Sequence, residues 1–447
     1  MNPPGKLLIS LALMCFLISK VPECNAQVLG KSKEYTFNDP LWGKINELCL
    51  KSEKRVIAWR RDFHQNPELG NHEFRTSKLI AEHLEKLGME VQTGVAHTGV
   101  VGILKGKFEG PVIALRADMD ALPVKEMVDL PYASKVMADI NGKKVPVMHA
   151  CGHDAHVAIL MGVAEVLSQV RNELPGTVKF IFQPAEDSNP DGEEGGAALM
   201  IKEGVLENPK VDAILGLHVV PYPASAISYR AGGIFAAVDN FNINVMGRQT
   251  HGALPWTGTD AIPISAQIVL GLQTIISRQI DLTEAPAFLS IGTMHGGTQV
   301  NILSGEVKLE GTIRTFSASM KKDIQERITR TAIEIAKSAG GTADVSFIPG
   351  VPVVYNDPAL TDLLSGTLIK VAGTAISIAR PITVGDDFAF YTQNLPGMYF
   401  LLGITPNGVD PMKAINHSPF FVVDESALIK GVEALSHMAC TYLWGKK

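Results

Sequence analysis

The sequence predicts an α/β fold: a central, mostly parallel sheet flanked by helices, with a smaller α+β, ferredoxin-like domain inserted into it. Three observations predict this. Short β-type runs such as "GPVIALRADMDALP", "GTVKFIFQPAED", "VDAILGLHVVP" and "PGMYFLLGITP" alternate with helical segments such as "HVAILMGVAEVLSQV" and "GGAALMIKEGVL". That alternation builds parallel sheets covered by helices on both faces. A middle stretch reads differently, as strand, helix, two strands, helix, strand. Finally, 447 residues exceed what one hydrophobic core usually supports, so two domains are expected.

The chain opens with "MNPPGKLLISLALMCFLISKVPECNAQ", a short leader with one Lys, an apolar run from Leu7 to Ser19, and small residues before a cut after Ala26. The run is shorter than the ~20 residues that cross a bilayer, so residues 1–26 read as a secretory signal peptide and the mature protein as exported, periplasmic or secreted. A lipid-anchored Cys24 competes with this reading, but Glu23 before it is a poor fit to such processing. No later stretch reads as long and apolar enough to span a membrane. The formal charge of -6 arises from mixed charges without a basic run, which argues against a nucleic-acid partner. Past the leader, Cys49, Cys151 and Cys440 remain, an odd number spaced too widely for a disulfide framework.

From Leu41 to Val91 apolar residues recur at three and four positions, broken at Asn66-Pro67 and closed at Gly88, which predicts two helices. The first part of the main domain is placed at 41–231, the inserted domain at 232–347 and the second part at 348–447. Within the insert, "AAVDNFNINVMGRQTHGA" alternates by two, "DAIPISAQIVLGLQTIISRQI" is helical, and "AFLSIGTMHGG", "GEVKLEGTIRTF", "MKKDIQERITRTAIEIAKSAG" and "TADVSFIP" complete the order.

In open α/β sheets, ligands bind beyond the carboxyl ends of the strands. The unusual polar residues fall there: Asp118 and Asp120 after "PVIALRA", Glu186 and Asp187 after "TVKFIFQPA", His218 after "DAILGL", and Cys151 and His153 in "MHACGHDAH" ahead of a helix expected to start near His156. His417 lies in a late loop. Singly, each is also an ordinary turn residue, cap or small buried side chain. Together, Cys151, His153, Asp187, His218 and His417 supply thiolate, imidazole and carboxylate, the ligand types of zinc, manganese, iron or cobalt. Five such side chains exceed the need of one tetrahedral ion and suit two. Glu186 beside Asp187 then suggests divided labour, one acid on the metal and one as general base, with Asp120 orienting an imidazole. His149 and His156 are weaker candidates for direct ligation. The competing reading is a nucleophilic Cys151 activated by His153, only two residues away, which leaves the other acids and histidines without a task.

The motifs "RRDFHQNPELG", "RADMDALP", "MHACGHDAH", "FQPAED", "GLHV", "GRQTHGALP" and "NHSPFF" occur in order from about Leu41 to the C-terminus. This set resembles the M20 metallopeptidase superfamily, and within it the amidohydrolase branch, subfamily D, which includes N-acyl amino acid amidohydrolases, hippurate hydrolases and plant auxin-conjugate hydrolases. The resemblance implies a two-metal site held by Cys151, His153, Asp187, His218 and His417, with two divalent ions per chain (manganese or zinc, alternatively cobalt or nickel) and Glu186 as general base. It implies that the insert is a lid or dimerisation domain, through which a homodimer or tetramer would form, and that His251 reaches the scissile carbonyl from it. Asn301 and Arg314 are lid residues suited to grip a substrate carboxylate. The chain departs from the pattern at Glu186-Asp187, where relatives carry Glu-Glu, and in the longer loop "SNPDGEEGGA", whose Glu193 and Glu194 read as solvated acids. The expected substrate is a small N-acyl amino acid or short peptide. A carboxypeptidase or dipeptidase on the same site, and a non-catalytic protein binding peptides or amino acid conjugates, are the alternatives.

Overall fold

The structure, a computed structural model, describes residues 39–190 and 192–445. The leader read as a signal peptide lies outside the described residues. Twelve strands carry the two domains: β1 Glu90–Val95, β2 Gly99–Lys105, β3 Phe108–Asp118, β4 Pro175–Gln183, β5 Ala213–Pro223, β6 Ile227–Tyr229, β7 Ala237–Met246, β8 Ala287–Gly296, β9 Glu306–Thr315, β10 Thr342–Pro349, β11 Ile376–Ile378 and β12 Gly397–Thr405. Eight helices frame them: α1 Asp39–Gln65, α2 Phe74–Lys86, α3 His153–Gln169, α4 Gly196–Lys202, α5 Ala261–Thr274, α6 Ala318–Ser338, α7 Pro358–Ala372 and α8 Leu428–Gly445.

The main sheet has eight strands in the order β1-β2-β4-β3-β5-β12-β6-β11. Its centre, β4-β3-β5-β12, is parallel, whereas β1, β2 and the β6–β12 contact are antiparallel. Strand β12 is buried along its whole length, as expected for a parallel strand covered on both faces. Helix α3 is apolar around almost its entire circumference and correspondingly buried. It begins at His153, three residues earlier than the sequence suggests. Gly152 makes that start feasible: its φ is 93°, and a Cβ there would stand 2.3 Å from Val219 Cγ2.

The insert folds as β7-α5-β8-β9-α6-β10, with an antiparallel sheet in the order β8-β9-β7-β10 and both helices on one face. Phe241, Ile243, Leu309, Ile268 and Ile328 form its separate core. Removing such a side chain, as in Ile328→Ala, costs about 2–5 kcal/mol. Gly232–Phe235 pairs with Val354–Asn356 rather than with the lid sheet, so the lid strands open at Ala237 and close at Pro349. One expectation is corrected: the helical stretch Ala261–Gln279, 19 residues, is long and apolar enough by composition to cross a membrane. Ile264, Ile268, Leu272 and Ile275 on it are buried in the lid core, so its apolar character is at least partly that of a core helix.

Candidate metal centre and active site

The loops at the carboxyl ends of β3 and β4 converge with the start of α3, the loop at His417 and His218, which lies inside β5 rather than past its end as the sequence suggests, because the strand runs on to Pro223. Five groups of potential ligating atoms lie here, each with its atoms within 4.8 Å of one another, and two of them are Cys151/His153/His218 and Cys151/Asp187/His417. These two share Cys151 and together contain all five expected ligands. His417 Nε2 lies 3.2 Å from Cys151 Sγ and 3.4 Å from Asp187 Oδ1, and His218 Nε2 lies 3.5 Å from Cys151 Sγ. Although Asp187 is one methylene shorter than a glutamate, its carboxylate reaches the cluster.

Two of the three imidazoles, His153 and His218, are oriented by a hydrogen bond on the far nitrogen. His153 Nδ1 donates to Asp120, 2.9 Å from its carbonyl oxygen and 3.1 Å from Oδ1, and His218 Nδ1 donates to the Val219 carbonyl at 2.7 Å. Both tautomers therefore leave Nε2 facing the cluster. Asp120 also accepts the backbone N–H groups of Glu186 and Asp187, each at 3.1 Å. His417 is held at φ 68°, with its N–H on the Ala150 carbonyl, while Asn416 donates to the carbonyls of Cys151 and Val219.

The two weaker candidates part ways. His156 spends both nitrogens on the protein, Nδ1 donating to Asp118 Oδ1 at 2.5 Å and Nε2 accepting the Val219 N–H at 2.9 Å. It is a structural support, not a free ligand. His149 is fully buried, and burial lowers its pKa to about 4.

A second layer of charge lies behind Glu186. Arg116 pairs with Asp118 and, at 2.7 Å, with Asp387 Oδ1. Gln183 donates to both Asp387 oxygens at 2.8 Å, and the Asp387 N–H reaches Glu186 Oε1 at 3.3 Å. Burial, then Asp386, Asp187 and Asp387, push the Glu186 carboxyl well above the usual range. Burial and Asp187 push the Cys151 thiol up as well. His153 goes upward despite burial because Asp118, Cys151 and Asp120 surround it.

These directions describe a pocket whose own acidic groups repel one another, a field that cations relieve. His153 Nε2 and Asp187 Oδ2 are both buried without a protein hydrogen-bond partner among the described residues, 3.8 Å apart. Soft thiolate, imidazole and carboxylate donors around such atoms fit divalent transition ions. The nucleophile reading of Cys151 fares worse, since it leaves Asp187, His218 and His417, all gathered at its sulfur, without a task.

Residues 114–441 match the profile of Peptidase family M20/M25/M40. The chain belongs to that family. It is 40% identical over 397 residues to Thermostable carboxypeptidase 2 of Saccharolobus solfataricus, covering 88% of this chain and 96% of the relative. It is 37% identical over 379 residues to the N-acetyl-L-cysteine deacetylase of Bacillus subtilis, covering 85% and 86%. The crystal structure of the Bacillus subtilis YXEP protein, described as a dinuclear metal binding peptidase from the M20 family, superposes with a TM-score of 0.74 at 35% identity, covering 88% of this chain and 98% of that one. This M20 hydrolase thus has the family's main sheet and lid, and its candidate cluster has enough donors for two ions.

The lid residues bond elsewhere than to this cluster. His251 is exposed, its Nδ1 accepting the Ala253 N–H at 3.0 Å. The Thr250–His251 pair bridges Ile302–Leu303, and the Gly252 N–H donates to the Asn301 carbonyl at 2.7 Å, so His251 and Asn301 share one edge of the lid. Arg314 is half-buried and donates to the Thr383 carbonyl at 3.4 Å. Glu193 and Glu194 are exposed, bonded to Asn71 and Lys202. The sequence reading missed Arg116, Gln183, Asp386 and Asp387. An arginine inside the apolar run "VIALRAD" and the paired acids of "VGDDF" were the available signals.

Proposed function

We propose that the protein is a two-metal amidohydrolase cleaving the amide bond of N-acyl amino acids. The observation that carries this reading is the pair of ligand triads sharing Cys151, with Glu186 beside them. Cys151, His153, Asp187, His218 and His417 would hold two divalent ions, manganese or zinc first, cobalt or nickel otherwise. When bound, such ions lower the pKa of water from 15.7 to about 7 and polarise a carbonyl oxygen.

Glu186 then takes the proton of the attacking water and passes it to the leaving amine. The Asp387 N–H on Oε1 and the neighbouring acids orient that carboxylate and favour its holding a proton between the two steps. Asp120 keeps His153 in its ligating tautomer. His251 donates to the oxyanion that develops on the carbonyl, and Asn301 and Arg314 grip the substrate carboxylate once the lid closes. Export through the leader and assembly into a homodimer or tetramer through the lid belong to the same reading.

A carboxypeptidase or dipeptidase on the same site is the second reading, favoured by the name of the Saccharolobus relative. The purified mature protein, assayed for metal content and for amine release from N-acetyl amino acids against dipeptides, separates the two. Near two ions per chain with turnover of acyl amino acids is expected. Turnover of dipeptides alone would move the assignment to a peptidase, and absence of bound metal would sink both.

A further inference from the structure

A cavity of about 420 Å3 opens next to the chain that follows Asp120 and Asp187, lined by three segments and Pro123. The first is Pro67–His72. Leu69 bridges Ala121, the residue after Asp120, and Gly70 lies so close to the chain after Asp187 that a Cβ would stand 2.1 Å from the Ser188 carbonyl oxygen. The second is Ser188–Pro190, the start of the loop that exceeds the family pattern. The third is a hairpin, Met137–Ile140 paired with Lys143–Pro146. Asn141 and Gly142 close it at φ 53° and 77°, the positive values a tight two-residue turn requires. Val136, Ala138 and Ile140 line the cavity from this side, together with Asp139 and Asn141. The cavity therefore begins one residue beyond Asp187 and ends on the hairpin.

The lining is mostly apolar, with two acids, His72 and three uncharged polar residues, and holds neither Lys nor Arg. Glu68 spends its carboxylate on the N–H groups of Arg75 and Thr76, and Asp139 accepts the Gly142 N–H at 2.8 Å. Such a wall repels a carboxylate and accepts an uncharged apolar group. An N-acyl amino acid has one half of each kind.

We propose that this cavity is the acyl subsite, taking an apolar acyl group while the carboxylate-bearing half of the substrate points away from it. The proposal rests on the amidohydrolase reading above. It makes Val136, Ala138 and Ile140 specificity-determining residues that touch neither metal nor scissile bond. It also gives the departure after Asp187 a task, since Ser188, Asn189 and Pro190 shape the wall nearest the cluster.

The test is kcat/KM of the metal-loaded protein on N-acetyl, N-benzoyl and N-octanoyl derivatives of one amino acid, and on N-acetyl derivatives of several amino acids. Wild type should favour the larger apolar acyl groups. Ala138→Trp, which fills the cavity, and Ile140→Asp, which adds charge at an exposed wall position, should each lower the benzoyl-to-acetyl ratio at least about tenfold. The amino acid preference should stay in place. Two variants on a surface hairpin keep the test open if one folds poorly. Turnover with an unchanged acyl ratio in both variants, or a change that follows the amino acid side chain instead, overturns the subsite alone. Absence of turnover of every N-acyl amino acid by wild type overturns the amidohydrolase reading and the subsite with it.

Discussion

At the carboxyl end of the main sheet, Asp120 is 1% exposed and its carboxylate meets His153 Nδ1 and the N–H groups of Glu186 and Asp187. On the lid, His251 and Asn301 stand in solvent and bond only to their immediate surroundings. The first region is largely oriented before any substrate arrives, because His153 and His218 are each fixed by a second group and burial makes an unsatisfied polar atom there costly, with the exposed His417 as the exception. The other keeps polar groups ready but unaimed. Chemistry should therefore fail abruptly when the sheet end is altered, whereas lid substitutions should act on the substrate complex and leave the metal site whole.

The largest effect is expected for Glu186→Gln, which keeps the shape and loses the base. Turnover should fall about 10²–10⁴-fold with metal content unchanged. A variant that lost its metal as well would show Glu186 to be a ligand and blur the division between Glu186 and Asp187. His251→Ala should lower kcat about 10²–10³-fold, the usual effect of deleting an oxyanion donor, again with both ions retained. Retained kcat in that variant would leave the lid a role in binding alone. Asp120→Asn should weaken metal affinity about 10–100-fold through loss of the bond that orients His153, measured by competition with a chelator.

The elements legible in the sequence were those whose cause is local. Strands β3, β4, β5 and β12 read clearly because buried parallel strands are continuous apolar runs, and the candidate ligands stood out as chelating residue types in or just past such runs and in their loops. Arg116 and Asp387 were not, since 271 positions separate them and only the packed sheet brings Asp387 against Gln183 and Glu186. The hairpin at Met137–Pro146 was overlooked although Asn141-Gly142 is a strong turn signal, because its strands are only four residues each. His156, a weaker candidate in the sequence, illustrates the limit of spacing. Its neighbours in "MHACGHDAH" suggest a ligand, yet both its nitrogens are taken by Asp118 and the Val219 N–H, partners no spacing rule reveals.

Two buried histidines sharpen the same contrast and yield the smallest predicted effect. His153 sits among Asp118, Cys151 and Asp120, and its pKa is driven up. His437 on α8 stacks on Trp42 with ring centroids 3.6 Å apart, bonds Asn46 Oδ1 at 2.7 Å, and has Lys370 and Lys430 as charged neighbours. Burial and those lysines lower its pKa from 6.5 to about 3. The unfolded chain thus takes up a proton near pH 6.5 that the folded protein refuses until near pH 3. Between those values the unfolded state binds more protons, so stability is fully present above the upper value and declines as pH falls, by at most about 1.4 kcal/mol per unit from this residue. Carboxylates elsewhere add their own acid sensitivity, so the readable quantity is the difference between wild type and His437→Gln in urea unfolding from pH 7 to pH 4. The variant should lose less stability on acidification. Parallel pH curves for the two proteins would mean that His437 is charged, or solvated, in the folded state, and that burial beside cations does not separate it from the histidines of the metal site.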